Sequence, residues 1–166
     1  MLYFAYGSNM CTGRLRQRVR SASQPFVARL AGHTLRFHKR STDGSGKADA
    51  FSTGVETDCV WGVVFEIDEA EKPLLDVAEG AGKGYHEEAV TVTDAEGGRH
   101  PVFVYIADAS HIDANRRPYS WYKRFVVEGA HQHGLPRDYL VVLEATRDVE
   151  DPDRTRDARK RAILCD

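Results

Sequence analysis

The carboxylate of Glu79 is the group in this chain best placed to move a proton. It stands directly before Gly80 at the end of a predicted helix, in the run Leu75-Asp76-Val77-Ala78-Glu79-Gly80. The negative end of a helix dipole and burial both favour the protonated form of a carboxyl group, so such a group can take up and release a proton. An exposed Glu at a helix end is the common alternative. Asp76, one turn earlier, is predicted to be the solvated acid, whereas Glu79 is predicted to face inward.

The second chemical feature is the N-terminal run Tyr3-Phe4-Ala5-Tyr6-Gly7-Ser8-Asn9. The aromatic and apolar residues predict a buried strand, and Gly7-Ser8-Asn9 predicts a tight turn at its end. Such a turn points successive backbone N–H groups at one spot, where they can bind an anion or stabilise an oxyanion. An ordinary turn is the simpler interpretation of these residues alone. Because side chains alternate along a strand, Tyr3 and Tyr6 are expected on opposite faces, so one of them would belong to the core.

Other familiar chemistries are less well supported. The run Gly44-Ser45-Gly46-Lys47 resembles the end of a phosphate-binding loop, but Ser41 and Ala48 replace residues that a Walker motif needs. No Gly-x-Gly-x-x-Gly pattern follows a predicted strand, as a dinucleotide site would require. His131 and His133 are two residues apart in a predicted helix and would point in different directions, which is poor geometry for a metal. The sequence therefore predicts neither a cofactor nor a metal site.

Composition limits the kinds of partner. The chain has 166 residues, 23 Lys and Arg, 25 Asp and Glu, and a net charge of −2. This balance argues against binding to nucleic acid or to a membrane surface, which needs a concentrated basic face. The alternating basic residues of segment 14–20 are predicted to form a solvated face. We find no apolar run long enough to span a membrane and no secretory leader, which predicts a soluble cytoplasmic protein.

The three cysteines support the same location. Cys11, Cys59 and Cys165 are odd in number and far apart, which predicts free thiols in a reducing cytosol. The sequence does not determine the oligomeric state, and a homodimer is one candidate.

Strands dominate the first two thirds of the chain. Residues 26–40 predict either one long bent strand or two short ones broken at Gly32. Alternation around Trp61 predicts a strand over residues 59–67, and residues 85–93 and 100–107 predict a hairpin. Residues 41–46 form a loop by composition.

Four further segments predict helices. Thr12 is a candidate cap for a short helical turn through residue 18. Asp68, with Glu71 three residues later, is a candidate cap for a helix that starts late because Pro73 fits only the first turn. A third helix runs over residues 120–133 and ends at Gly134, and a fourth begins at Pro136. We expect one domain over residues 1–147, followed by a charged tail or exposed helix over residues 148–166.

Several segments together resemble the γ-glutamylcyclotransferases. They are residues 2–10, 60–64, 76–80 with Tyr85 following, 121–124 and 134–136. The match keeps the same order and similar spacing from residue 2 to about residue 142. The resemblance implies an α+β fold, in which a mixed, mostly antiparallel sheet forms a small, partly closed barrel with flanking helices.

The resemblance also implies a reaction and a site. The activity would release 5-oxoproline from a small γ-glutamyl substrate, whose own α-amine attacks the γ-carbonyl while Glu79 accepts and returns a proton. No cofactor is implied. The substrate would be bound by Tyr3, Phe4, Ala5, Tyr6, Gly7, Ser8 and Asn9, flanked by Tyr85 and Tyr122. Two alternatives remain open: a related cyclotransferase acting on γ-glutamylamines or on a γ-glutamyl biosynthetic intermediate, and a catalytically silent binding module.

Overall fold

The computed structural model describes residues 1–165, and its central element is a closed five-stranded barrel. Every neighbouring pair of strands is antiparallel except the pair that closes the barrel, where β7 and β1 run parallel and meet at Tyr3 and Phe103. The predicted α+β fold with a mostly antiparallel barrel is confirmed. In spatial order the strands are β1 (Leu2–Ala5), β5 (Cys59–Glu66), β2 (Ser23–Ala31), β6 (Tyr85–Asp94) and β7 (Arg99–Ala107).

A separate two-stranded sheet lies beside the barrel and consists of β3 (His33–Arg40) and β4 (Gly46–Ser52). Gly32, between β2 and β3, has a left-handed conformation with φ 73°. Residues 26–40 therefore belong to two strands in different sheets, as the prediction of two strands broken at Gly32 had it. Strand β4 was not predicted. Its central acid, Asp49, is buried because it accepts hydrogen bonds from His38 Nε2 at 2.8 Å and from Ala107 N–H at 2.9 Å. These contacts with β3 and β7 fix the small sheet on the barrel.

Helices follow and connect the strands along the chain. Pro73 lies in the first turn of its helix, as predicted. No helix within residues 1–165 is both long and apolar enough to cross a membrane. The helices are α1 (Thr12–Arg16), α2 (Lys72–Glu79), α3 (Ser120–Gln132), α4 (Arg137–Ala145) and α5 (Arg154–Arg161), with short 3-10 turns at Ser8–Met10, Glu69–Glu71 and Ala109–His111.

Helix α3 lies directly against the 3-10 turn Ser8–Met10. A Cβ at Gly129 would lie 2.4 Å from the backbone nitrogen of Cys11 and 2.5 Å from the carbonyl carbon of Met10, so only glycine permits this approach. Phe125 of the same helix is fully buried in the core. The helix therefore fixes the turn that follows β1.

The C-terminal segment is attached to the domain at two places. Asp151 has a fully buried side chain. It accepts a hydrogen bond from the Trp121 indole at 2.8 Å and forms an ion pair with Arg156 at 2.6 Å. Cys165 forms a disulfide with Cys11, and their Cα atoms are 4.7 Å apart.

The prediction of three free thiols was therefore wrong. Only Cys59 is a free cysteine in the described chain. Cys11 and Cys165 are 154 residues apart, and their pairing results from the return of the C-terminus to the N-terminal turn, which spacing along the chain does not reveal.

Candidate active site

Glu79 occupies the last turn of α2 and points toward the 3-10 turn after β1. The helix ends there because Gly80 adopts a left-handed conformation with φ 70°. The Glu79 side chain is 18% exposed. Its Oε1 atom accepts a 2.9 Å hydrogen bond from Asn9 Nδ2 and forms an ion pair with Arg18. The two chemical features of the sequence thus meet in space.

Asn9 connects the groups around this carboxylate. Its Nδ2 atom also donates to the Tyr3 hydroxyl at 3.0 Å, and its Oδ1 atom accepts from Arg18 at 2.8 Å. Asn9 is buried. A buried amide whose donors and acceptor are all used holds a single orientation, so the Glu79 carboxylate has a fixed neighbour.

An inner cavity of about 20 Å³ opens beside Glu79. Five of its walls are tyrosines, and burial raises the pKa of all five phenols, which keeps them neutral near pH 7. Phe4 and Ala5, which the sequence analysis included in the pocket, lie in the barrel core instead. The lining residues are Tyr3, Tyr6, Gly7, Ser8, Asn9, Ala48, Glu79, Tyr85, Tyr105 and Tyr122.

Tyr3 and Tyr6 both reach this cavity. Opposite faces were expected for them, but β1 ends at Ala5, so the alternation of side chains stops before Tyr6. The hydroxyl of Tyr6 donates to the backbone carbonyl of Tyr105 on the neighbouring wall. The early end of the strand is thus what brings both tyrosines to one site.

Strand β4 supplies the wall opposite the turn. The carbonyl of Ala48 accepts from the Tyr85 hydroxyl, and its N–H donates to the Tyr122 hydroxyl at 3.1 Å. Tyr85 and Tyr122, from distant parts of the chain, are therefore held by one backbone unit. Ala48 was not predicted as a site residue because β4 was not predicted as a strand.

Asp76 was predicted to be a solvated acid, and this prediction was wrong. It is half-buried, pairs with Lys72 and accepts a 2.7 Å hydrogen bond from the hydroxyl of Tyr105, a wall residue of the inner cavity. The reason is that β7 places Tyr105 under α2, a contact between elements that are separated along the chain. Asp76 therefore supports the cavity wall.

The turn itself combines close packing with unused donors. Gly7 has φ −114°, and a Cβ there would lie 3.0 Å from Ala48 Cβ and 3.1 Å from the Tyr122 hydroxyl oxygen. The absence of a Cβ, rather than a positive φ, is what this position requires. Within residues 1–165, the backbone N–H groups of Gly7, Ser8 and Asn9 donate to no acceptor. They are available to a ligand.

An outer cavity of about 100 Å³ adjoins the inner one and shares four wall residues with it, Ser8, Glu79, Tyr85 and Tyr122. Its remaining lining is mostly cationic. The residues that only the outer cavity contains are Arg14, Arg18, Lys39, Ser41, Lys47 and Ala78.

Two of these cations were predicted to belong to a solvated basic face. That prediction was wrong for Arg14, which is 6% exposed, donates from Nε to Ser8 Oγ at 3.0 Å and lies 4.6 Å from the Phe125 ring centroid. It was also wrong for Arg18, which binds Glu79. Residues four apart share one side of a helical turn, so the predicted helical start at Thr12 was the signal that could have placed both arginines together.

The described residues contain no cluster of three His, Cys, Asp or Glu side chains arranged to hold a metal.

Comparisons with known proteins assign this chain to a family. Residues 59–143 match the AIG2-like family, which gives the class of protein. Over 155 residues the chain is 34% identical to human γ-glutamylcyclotransferase, covering 87% of this chain and 77% of the human one, and it is 35% identical to the bovine enzyme with the same coverage. A solved structure of a γ-glutamyl cyclotransferase superposes with a TM-score of 0.82 at 30% identity, covering 97% of this chain and 98% of that one. The chain belongs to the γ-glutamylcyclotransferase family.

Proposed function

We propose that this protein is a γ-glutamylcyclotransferase, which converts γ-glutamyl amino acids or peptides to 5-oxoproline and a free amine. The family membership supports the reaction class. The observation that carries the proposal is the position of the Glu79 carboxylate, which is held by Asn9 and lies at the junction of the two cavities.

The reaction needs a proton carrier more than a protein nucleophile. The α-ammonium of the substrate gives a proton to Glu79, and the α-amine then attacks the γ-carbonyl carbon to close a five-membered lactam. The bond to the leaving nitrogen breaks as Glu79 returns the proton to that nitrogen. The attacking nitrogen loses its second proton to the released amine, which leaves as an ammonium ion, and the lactam is neutral. Since the nucleophile is tethered to the substrate, holding the folded conformer provides much of the reduction in the barrier.

The geometry around Glu79 suits this role. Both hydrogen-bonding partners, Asn9 and Arg18, bind Oε1. Oε2 accepts no hydrogen bond from residues 1–165, so it is free to exchange the proton with the substrate. The N–H groups of Gly7, Ser8 and Asn9 would stabilise the oxyanion or hold the α-carboxylate.

The surrounding tyrosines would bind the γ-glutamyl part. Four tyrosines are in place for this, and their neutral hydroxyls can donate hydrogen bonds to the substrate or accept them from it. They are Tyr3, Tyr6, Tyr85 and Tyr122 of the inner cavity. Phe4 and Ala5 would act indirectly, through the barrel core that supports the turn.

The proposal is tested by supplying γ-glutamyl-alanine, glutathione and γ-glutamyl-ε-lysine to the purified protein and measuring 5-oxoproline and free amine. We expect equal amounts of both products from at least one of the first two substrates. Turnover of γ-glutamyl-ε-lysine alone would indicate a γ-glutamylamine cyclotransferase. Binding of these compounds without any 5-oxoproline would indicate a silent binding module and contradict the proposal.

Two further parts of the proposal concern the protein in the cell. A cytoplasmic location stays a prediction, and it no longer has the support of three free thiols. A homodimer likewise stays a prediction, and sedimentation of the purified protein would test it.

A further inference from the structure

The outer cavity carries an excess of positive charge that the proton transfer does not need. Among residues 1–165, four cations line it, Arg14, Arg18, Lys39 and Lys47, and Glu79 is the one acidic lining residue. Arg18 is paired with Glu79, and Lys47 is paired with Asp43. The two other cations, Arg14 and Lys39, have no carboxylate within 4.0 Å among residues 1–165.

Lys39 is the less expected of these two cations. The residue is only 8% exposed, and its ammonium nitrogen lies 4.6 Å from the ring centroid of Tyr85. Burial lowers the pKa of Lys39, and the charges of Glu79, Asp43 and Asp108 oppose this effect from beyond ion-pair distance. Each of these carboxylates is paired with another side chain, Arg18, Lys47 or His86. Burying an ammonium without a carboxylate is costly, which is tolerated where a ligand supplies the missing negative charge.

Arg14, also in the outer cavity, is likewise buried without a carboxylate partner among residues 1–165. Burial lowers the pKa of its guanidinium to about 10, so the group keeps its charge near pH 7. Its one hydrogen bond to a described side chain goes to a hydroxyl, Ser8 Oγ.

Lys47 is held at the same cavity by a different set of contacts. Its ammonium nitrogen lies 2.7 Å from Asp43 Oδ2, and 4.6 Å and 4.5 Å from the ring centroids of Tyr122 and Trp121. Hydrogen bonds and the charge of Lys47 lower the pKa of Asp43 to about 2 despite its burial, so Asp43 is ionised and neutralises Lys47. The uncompensated charge therefore belongs to Arg14 and Lys39.

The chemistry decides which part of the substrate meets this charge. Glu79 lines both cavities, and in the proposed reaction it must reach the leaving nitrogen. The inner cavity of about 20 Å³ holds little more than a water molecule, so the tyrosine side chains must move apart to admit the γ-glutamyl part. With the γ-glutamyl part against these tyrosines, the remainder of the leaving amine extends into the outer cavity. The leaving amine is thus the part that contacts the cations.

We propose that the outer cavity is a binding site for an anionic leaving group and that Lys39 and Arg14 make the enzyme prefer γ-glutamyl substrates whose leaving amine is an acidic amino acid. This inference rests on the proposed function. Two uncompensated cations match the two carboxylates of a leaving aspartate or glutamate. A charged hydrogen bond of ordinary strength corresponds to roughly a 10- to 100-fold preference.

The test compares three substrates whose leaving amines carry two, one and no carboxylates: γ-glutamyl-aspartate, γ-glutamyl-alanine and γ-glutamyl-alaninamide. For the wild type we expect kcat/KM to fall in this order, by roughly 10-fold or more between the first and the last, mainly through KM. Lys39→Met should lower the ratio of kcat/KM between γ-glutamyl-aspartate and γ-glutamyl-alaninamide to a few-fold. Lys39→Arg should restore most of the wild-type ratio. Lys83→Met, which removes one exposed lysine near the site, is the matched control and should leave the ratio unchanged.

Three outcomes would overturn the inference. A wild type that uses γ-glutamyl-alaninamide as well as γ-glutamyl-aspartate has no anionic subsite, whatever the variants do. An equal loss on all three substrates in Lys39→Met would mean that the lysine binds the common α-carboxylate. A ratio that Lys39→Met leaves at its wild-type value would remove Lys39 from the site. If no substrate gave 5-oxoproline, the proposed function itself would fail, which is a distinguishable result.

Discussion

Replacing Glu79 by Gln removes the proposed proton acceptor with little change of shape. General acid–base catalysis contributes about 10²- to 10⁴-fold, and tenfold corresponds to about 1.4 kcal/mol, so the loss amounts to roughly 3–5 kcal/mol of transition-state stabilisation. We therefore expect kcat for Glu79→Gln to fall by at least about 10²-fold.

The fold should survive this change. Within the described chain only Oε1 of Glu79 is hydrogen-bonded, and the Gln amide oxygen can accept from both Asn9 and Arg18 in the same position. What is lost is the charge of an ion pair whose two side chains are 20% and 18% exposed, and the cost lies between that of a surface pair and that of a buried one, roughly 1–3 kcal/mol. A moderate fall in Tm with a large fall in kcat is the expected combination.

The assay measures kcat and KM for 5-oxoproline release, together with the thermal unfolding curve. Glu69→Gln is the matched control, since Glu69 is an exposed glutamate in the 3-10 turn before α2, and its activity should equal that of the wild type. Asp76 would be a poor control because it hydrogen-bonds Tyr105. A folded Glu79→Gln enzyme with kcat within a few-fold of the wild type would refute the assigned role.

Three further results are expected. Gly7→Ala forces a Cβ to within 3.0 Å of a neighbouring side chain, so kcat/KM should fall about 10-fold or more while the protein still folds; unchanged kinetics would mean that the turn has no part in binding. Thiol titration of denatured protein should find one reactive thiol, Cys59, without reductant and three after reduction, whereas three without reductant would argue against the Cys11–Cys165 bond. Hydrogen bonds and the charge of its arginine partner lower the pKa of Asp151 to about 2. Its stabilising contribution is therefore complete above about pH 4 and lost as pH falls toward 2, so the Tm deficit of Asp151→Asn should shrink over that range; a constant deficit would contradict the pairing.

The barrel strands were largely predictable because their signals are local. Alternation around Trp61 and the loop between two apolar runs predicted β5 and the β6–β7 hairpin within one or two residues at each end. Strand β4 was missed, because a buried Asp49 looks like a loop residue until His38 and Ala107 are placed beside it. When a strand is stabilised by partners from other elements, its own sequence shows little of the alternation that predicts a strand.

The candidate site divides in the same way. The turn at Gly7-Ser8-Asn9 and the helix-end Glu79 are visible in the sequence because each has a local pattern. The sequence did not predict Arg18, Lys39 and Tyr105 as site residues. Arginine and lysine are common in surface segments and tyrosine is common in strands, so these residues become part of a site only through packing against other elements. Their roles depend on contacts that join residues from different elements.

By itself, the sequence determined the family resemblance, the reaction class that it implies and the two local features that carry the chemistry. The tertiary structure alone decided that Asn9 holds Glu79, that Arg14 and Arg18 turn inward, and that Cys11 meets Cys165. The physical reason is the range of the interactions. Propensities and capping act within a few residues, whereas burial, ion pairing and disulfide formation depend on which distant segments the closed barrel and α3 bring together.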